Sequence, residues 1–331
     1  MPTMLPNPVW SGFAEGYRNN RYIADLVLPR VPVAAELFEC DYYDIPEFLV
    51  APNNEVGRLD RPPLVDFKAS QRQFRTKNYA MDSPLPQFDL DLAKAQRQSK
   101  ITKYDPEKLA MDGIAELHEL ARERRVAAIM SNPLNYLPSM QQVLAGPSQF
   151  TDPAARPKDL LMAVMDGMLY RPNKMALSRL AWTALRSHPQ IVAAVLGNAG
   201  SEGVATVEQV AKLLELDEIL VGDSFAAISQ NRDPSRPAEM VNRIWGNDVA
   251  LFYSNPAAQA IAGYNQFTFG YTARLNGVEI LTFPDNYMGA GGGQVVRIRE
   301  RCIELITGKF CGYLLRNVIP ASTPFSMDRV M

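Results

Sequence analysis

Between residues 105 and 131 apolar and charged positions alternate at helical spacing. Leu109, Ile114, Leu117, Leu120, Ala121 and Ala128 mark an apolar side, while Glu116, Glu119, Arg122, Glu123 and Arg125 mark a solvated one. Asp105 is placed to cap this helix, and Pro106 falls at the first helical position, where a missing N–H costs nothing. Only Gly113 interrupts the run. Unbroken, the helix would span roughly 40 Å at 1.5 Å per residue. A second helix is predicted within residues 156–170, with Leu160, Leu161, Val164, Met165 and Met168 on one side and the methionines as core filler.

The stretch before the long helix has a different texture. Residues 37–80 read as two strands joined by a long tip rich in turn residues, "APNNEVGRLDRPP". The returning limb holds Lys68, Arg72, Arg75 and Lys77 but few apolar residues. A hairpin so poor in apolar residues cannot bury a face against its own core. It either stands in solvent as a surface hairpin or lies on a neighbouring chain, and its length favours the neighbour. Residues 1–36 hold one apolar stretch, Tyr22–Leu28, followed by Pro29 and Pro32. The prolines forbid a long helix and a central strand. An arm crossing another surface and a strand closed by a Pro-rich turn fit equally well. Removing residues 1–30 is expected to leave a subunit that folds but does not assemble.

From residue 171 short elements alternate. Lys174–Leu177 reads as a strand, Ser178 as the cap of a helix through Arg186, and Pro189 as its end. Thr206 and Gln209 form a capping box before "VEQVAKLLEL". "DEILVG", "IWGNDVALFYSN" and "FTFGYTARLNGVEILTF" are strand-like, with Asn276-Gly277 as a hairpin turn in the last. "QVVRIRERCIELIT" and "GKFCGYLLRNVI" follow the Gly-rich "GAGGG" as closing strands. The pattern is that of an α+β chain containing an α/β unit of about 110–120 residues.

Composition narrows the chemistry. Of the 331 residues 47% are hydrophobic and 21% charged, and the net charge is −2, which argues against nucleic acid or an acidic membrane as the main partner. No apolar run is long enough to cross a bilayer, and residues 1–13 lack a signal-peptide pattern, so cytoplasmic synthesis is expected. The three cysteines, Cys40, Cys302 and Cys311, have neither disulfide-framework nor zinc spacing. With only His118 and His188, 70 positions apart, any His-based mechanism has little to draw on, and neither has a second His or Cys at ligand spacing. His118 reads as structural, and His188 as closing the helix that holds a core-facing Trp182. Ser187 and His188 are helix neighbours that do not face each other, as a nucleophile and base must. "MGAGGGQ" lacks the Gly-Lys-Ser/Thr and following helix of a phosphate loop. No catalytic residue, cofactor site or metal site is expected.

The order of these parts resembles the major capsid proteins of tailed phages, the fold named after phage Hong Kong ninety-seven. "YIADLVLPRVPV", "RPNKMALSRLAWTALRSHPQIV", "VEQVAKLLELDEILVG", "IWGNDVALFY" and "GYLLRNVI" carry the resemblance from about residue 20 to 320. It implies an N-arm (1–36), an E-loop hairpin (37–86) and a P-domain (87–170) containing the spine helix. An α/β A-domain (171–286), closing P-domain strands (287–323) and a tail (324–331) would follow. It further implies pentamers and hexamers in an icosahedral head around double-stranded DNA, located in the virion, with scaffold, portal and decoration proteins as separate partners. Candidate inter-subunit contacts are Tyr22, Ile23 and Leu26 in the arm and Arg58, Arg61, Lys68, Arg72, Arg75 and Lys77 in the hairpin. Some relatives crosslink a hairpin lysine, but no motif here supports that for Lys68 or Lys77. An encapsulin-like compartment with a cargo enzyme, and an α/β enzyme using the Gly-rich loop, stay open as alternatives.

Overall fold

A computed structural model describes residues 8–16, 19, 21–42, 55–56, 61, 70–99, 105–197, 203–227, 240–255, 267–320 and 325–326. In chain order its elements begin with helices α1 (Pro8–Gly16) and α2 (Ala24–Val27) and strands β1 (Arg30–Pro32), β2 (Leu37–Tyr42), β3 (Ser70–Arg75) and β4 (Lys77–Pro86). Helices α3 (Gln87–Gln98) and α4 (Pro106–Met130), strand β5 (Gln141–Val143) and helix α5 (Pro157–Asp166) come next. Strand β6 (Lys174–Ser178) leads to helices α6 (Arg179–Arg186), α7 (Pro189–Leu196) and α8 (Val207–Leu214). Strands β7 (Glu218–Gly222), β8 (Phe225–Ala227), β9 (Met240–Arg243), β10 (Val249–Phe252), β11 (Gly270–Asp285), β12 (Gly293–Ile306), β13 (Gly312–Arg316) and β14 (Phe325–Ser326) complete the set.

Two sheets organise the core. The long sheet has the order β1-β11-β12-β4. Its backbone is the β11–β12 hairpin, paired from Gly270 opposite Ile306 to Asp285 opposite Gly293. One face packs on α4, where Met111, Ile114 and Ala115 meet Val278, Ile280, Val296 and Ile298. The second sheet has the order β5-β13-β10-β6-β7. Alternate residues feed two cores. Met175, Leu177, Val249, Leu251 and Leu315 face α5–α8, while Ala176, Ala250, Phe252 and Leu314 face the C-terminal half of α4. Burial on both faces explains why its strands read as continuous apolar runs.

The spine helix forms where expected, with Asp105 accepting hydrogen bonds from the backbone N–H of Glu107 and Lys108. Its polarity matches the expectation at Ile114, which is buried, but is inverted at several other positions. Leu117 is 54% exposed, and Leu109, Ala128 and Arg124 also face solvent, while His118, Arg122 and Glu123 are buried. Helical periodicity registers hydrophobicity alone; a polar group with partners supplied from elsewhere in the fold can be the inward one.

Other expectations change for equally specific reasons. Asn276 has the positive φ of a turn residue, yet it sits in a bulge between Leu275 and Glu279, and β11 runs on through it. The long sheet therefore claims residues 270–285, which the expected A-domain (171–286) included. β13 lies in the second sheet beside β10, away from the closing P-domain strands (287–323) where it was expected. β4 joins β12, so only β2 and β3 remain of the described part of the expected hairpin (37–86). Pro189 opens α7 and does not simply end α6. His188 caps α7, its Nδ1 accepting from Gln190 N–H and its Nε2 donating to the Asp152 carbonyl. Trp182 is buried, as expected.

The Gly-rich run is the tight end of the β11–β12 hairpin and leads into a strand. Gly289 and Gly292 take positive φ there, and a side chain on Gly293 would stand 2.4 Å from the Leu85 carbonyl oxygen of β4. Gly293→Ala should therefore lower stability by about 1–3 kcal/mol, the usual cost of overpacking. Denaturant unfolding measures this; an unchanged midpoint would mean that β4 yields at no cost.

Candidate assembly site

Helix α2 has only four residues, too few to hold itself together. Its ends are closed by two adjacent residues of α4. Glu123 accepts the backbone N–H of Ala24 at 2.8 Å and that of Ile23 at 3.1 Å, so a side chain a hundred residues away replaces the missing local N-cap. The same carboxylate accepts Trp245 Nε1–H at 2.6 Å. At the other end Arg122 Nη2 donates to the Leu28 carbonyl at 3.0 Å, and Thr272 Oγ1 donates to that oxygen as well. Arg122 also binds Asp25 of α2. Ile23, Ala24, Val27 and Leu28 pack between Val126, Ala127 and Phe269.

A second layer of charge holds the chain just beyond α2. Arg30 bonds Glu119 at 2.6 Å and lies 3.4 Å from Glu300, which accepts a hydrogen bond from His118 Nε2 at 2.9 Å. Burial opposes the charge on Arg30, but Glu300, Glu119 and Asp25 outweigh it and raise its pKa. Burial would likewise push the Glu300 carboxyl up. The His118 hydrogen bond and the guanidiniums of Arg30 and Arg122 overcome it and hold the group at about 2. Glu123, satisfied mainly by neutral donors, is raised by its burial. Burial also pushes the Cys302 and Cys311 thiols up to about 12, leaving them unreactive.

The second element is the β2–β3 ribbon. It pairs from Leu37 opposite Arg75 to Tyr42 opposite Ser70, and no third strand joins it among the described residues. None of its described side chains is fully buried. Phe38 and Phe74 meet tilted across it, with ring centroids 6.2 Å apart, and Cys40 Sγ lies 3.1 Å from Tyr271 Oη of the long sheet.

The sequence-predicted contacts therefore separate. Ile23 is 5% exposed inside its own subunit, which corrects its placement as a contact to a neighbour: its side chain has no surface left to offer. Tyr22 is half-buried, with its hydroxyl donating to Glu116 at 2.5 Å. Leu26 remains 44% exposed. Arg72 and Arg75 are exposed on the ribbon, Lys77 is exposed on β4, and Arg61 is exposed. Arg58 and Lys68 lie outside the described residues. Sequence reasoning missed Arg122, Glu123, Glu119 and Glu300, because a charged run on a helix ordinarily means a solvated face. Among the described residues no group of side chains is arranged to hold a metal ion, and no helix is long and apolar enough to cross a membrane.

The N-terminal segment is bound into the core, while the ribbon has no core of its own. No family model matches the chain. The fold is that of a phage-related protein from Bordetella bronchiseptica RB50, with a TM-score of 0.72 and 22% identity over 96% of this chain and all of that one. The capsid subunit of cyanophage P-SCSP1u superposes with a TM-score of 0.53 and 11% identity over 87% of this chain and 85% of its own. The major capsid protein of Pseudomonas phage JBD67 is 33% identical over 315 residues, 95% of this chain and 97% of that protein. The chain belongs to the tailed-phage major capsid proteins, has the Hong Kong ninety-seven-type fold, and forms a capsid shell in the virion.

Glu123→Ala should destabilise the subunit by about 3–5 kcal/mol, since it strands two backbone N–H groups, the Trp245 N–H and the neighbouring charges. Thermal unfolding of unassembled subunit tests this, with Glu123→Gln expected to recover part of the loss. The Glu300 pKa sets a pH dependence. Its folded value, about 2, lies below the ordinary glutamate value of about 4.5, so its contribution is full above about pH 5 and is lost as pH falls towards 2. That contribution is about 3 kcal/mol, and Glu300→Gln should remove this portion of the acid sensitivity. Parallel acid titrations of the two proteins would contradict the assignment.

Proposed function

We propose that the chain assembles as pentamers and hexamers into an icosahedral head around a double-stranded DNA genome, with the β2–β3 ribbon lying on a neighbouring subunit. One observation supports this reading above the others: a two-stranded ribbon with no buried side chain among those described. Such a ribbon is at best marginally stable alone in water and presents open strand edges, so a surface that covers it makes it a structural element. Arg61, Arg72, Arg75, Leu26 and the outer side of Tyr22 are the contacts it would use. Scaffold, portal and decoration proteins are separate partners in this reading. The role is mechanical, and no reaction is assigned to the chain.

Replacing Arg72 and Arg75 with Glu should block particle formation while leaving the subunit's melting temperature within a few degrees of the wild type. Electron microscopy of purified protein reads the first effect and calorimetry the second. Normal particles from the double variant would refute the ribbon's role. Deleting residues 1–30 should do something different from the expectation of a foldable subunit. It removes α2 and leaves Glu123 without its two backbone donors, Arg122 without Asp25 and the Leu28 carbonyl, and Glu300 without Arg30, so soluble folded subunit should be lost.

A further inference from the structure

Along β12 the residues facing away from α4 include Arg297, Arg299 and Arg301. Arg297 forms a two-bond pair with Asp82 of β4, at 2.6 and 2.7 Å. Arg299 bonds Glu279 of β11 at 2.6 Å. Arg301 has no carboxylate partner among the described residues of its own subunit, although it is half-buried. Beside it opens a notch of about 390 Å³ whose lining includes Asn78, Ala80 and Arg299. Glu300 also lines the notch, but its carboxylate is bonded to His118 on the α4 side, so the Arg301 guanidinium is suited to a carboxylate brought from outside.

The ribbon carries such carboxylates. Strand alternation puts positions 37, 39 and 41 of β2 on one face. The cross-strand neighbours of Glu39 and Asp41 are the neutral Gln73 and Gln71, and Glu39 accepts only an amide from Gln73 at 3.0 Å. Positions 38, 40, 72 and 74, with Phe38, Cys40, Arg72 and Phe74, make up the other face. The acidic residues recur every second position, roughly 6.8 Å apart, and Arg299 and Arg301 recur at the same interval. Within the subunit Glu39 pairs with no arginine of β12.

We propose that Arg301, seconded by Arg299, is the seat on one subunit for Glu39 and Asp41 of a second copy's ribbon. This rests on the reading that the ribbon lies on a neighbour, and it names the place. Arg301 stands opposite Asn78, close to the base of its own subunit's ribbon at Arg75. Each ribbon would thus lie over the root of the next, a head-to-tail contact of the kind that closes into rings.

A charge swap tests the seat. Arg301→Glu should raise the protein concentration needed for half-maximal assembly by about tenfold or more, as should Glu39→Arg with Asp41→Arg. Combining the three changes should restore assembly to within a few-fold of wild type. The melting temperature of the unassembled subunit is the folding control, and Arg301→Gln serves if Arg301→Glu does not fold. Wild-type assembly of Arg301→Glu, or failure of the combined variant to recover, overturns the proposal. Shells that assemble normally but lose nucleic acid with Arg301→Glu would also overturn it, because the partner would then be phosphate. If Arg72→Glu with Arg75→Glu blocks assembly while the Arg301 variants do not, the ribbon reading stands and this seat is wrong.

Discussion

Two neighbouring side chains of one helix, Arg122 and Glu123, satisfy opposite ends of a four-residue helix that could not form without them. Most of the subunit's organisation follows from that contact. It fixes the path of the N-terminal segment across α4 and delivers Arg30 to Glu119 and Glu300. It also sets β1 against the edge of β11, where Arg30 stands opposite Thr272. Because β2 starts five residues after β1 ends, the same contact settles where the ribbon leaves the body of the protein.

The network is costly to assemble and more costly to leave incomplete. Drawing four carboxylates and two guanidiniums out of water carries a large penalty, and their mutual attraction roughly offsets it. Such an arrangement adds little net stability compared with an apolar core. It does discriminate, since an N-terminal segment in any other register would strand charges in the interior. The apolar contacts of Ile23, Val27 and Leu28 could tolerate a slip; the hydrogen bonds to Glu123 and Arg122 could not.

Much of the fold could be read from residue types. Asp105 and Pro106 mark the start of α4, Thr206 and Gln209 cap α8 through their reciprocal bonds, and the strand runs around Val249 and Leu314 are buried as continuous apolar segments. What escaped reading was of two kinds. Asn276 and Pro189 carry local signals that are correct in conformation but neutral as to outcome. A positive φ makes a bulge as readily as a turn, and a proline at a helix boundary opens one helix as readily as it ends another. The buried charges escaped for a deeper reason. Glu123 and Glu300 are inward because partners arrive from positions 23–30, and no pattern within a helix or a strand records an acceptor's distant donor. Arg72 and Arg75 are exposed, as their residue type suggests, whereas the burial of Ile23 was not legible, because an apolar residue in a Pro-rich arm looks the same whether it is buried in its own subunit or another.

The exposed leucines of α4 set a clock on the free subunit. Leu109 and Leu117 face water on the longest helix, and Phe88 and Leu92 do the same on α3 beside it. A newly made chain is folded yet still wet on apolar surface, so its tendency to associate non-specifically rises with its concentration. Shell growth and precipitation then draw on the same pool of subunits, and the rate at which partners arrive decides between them.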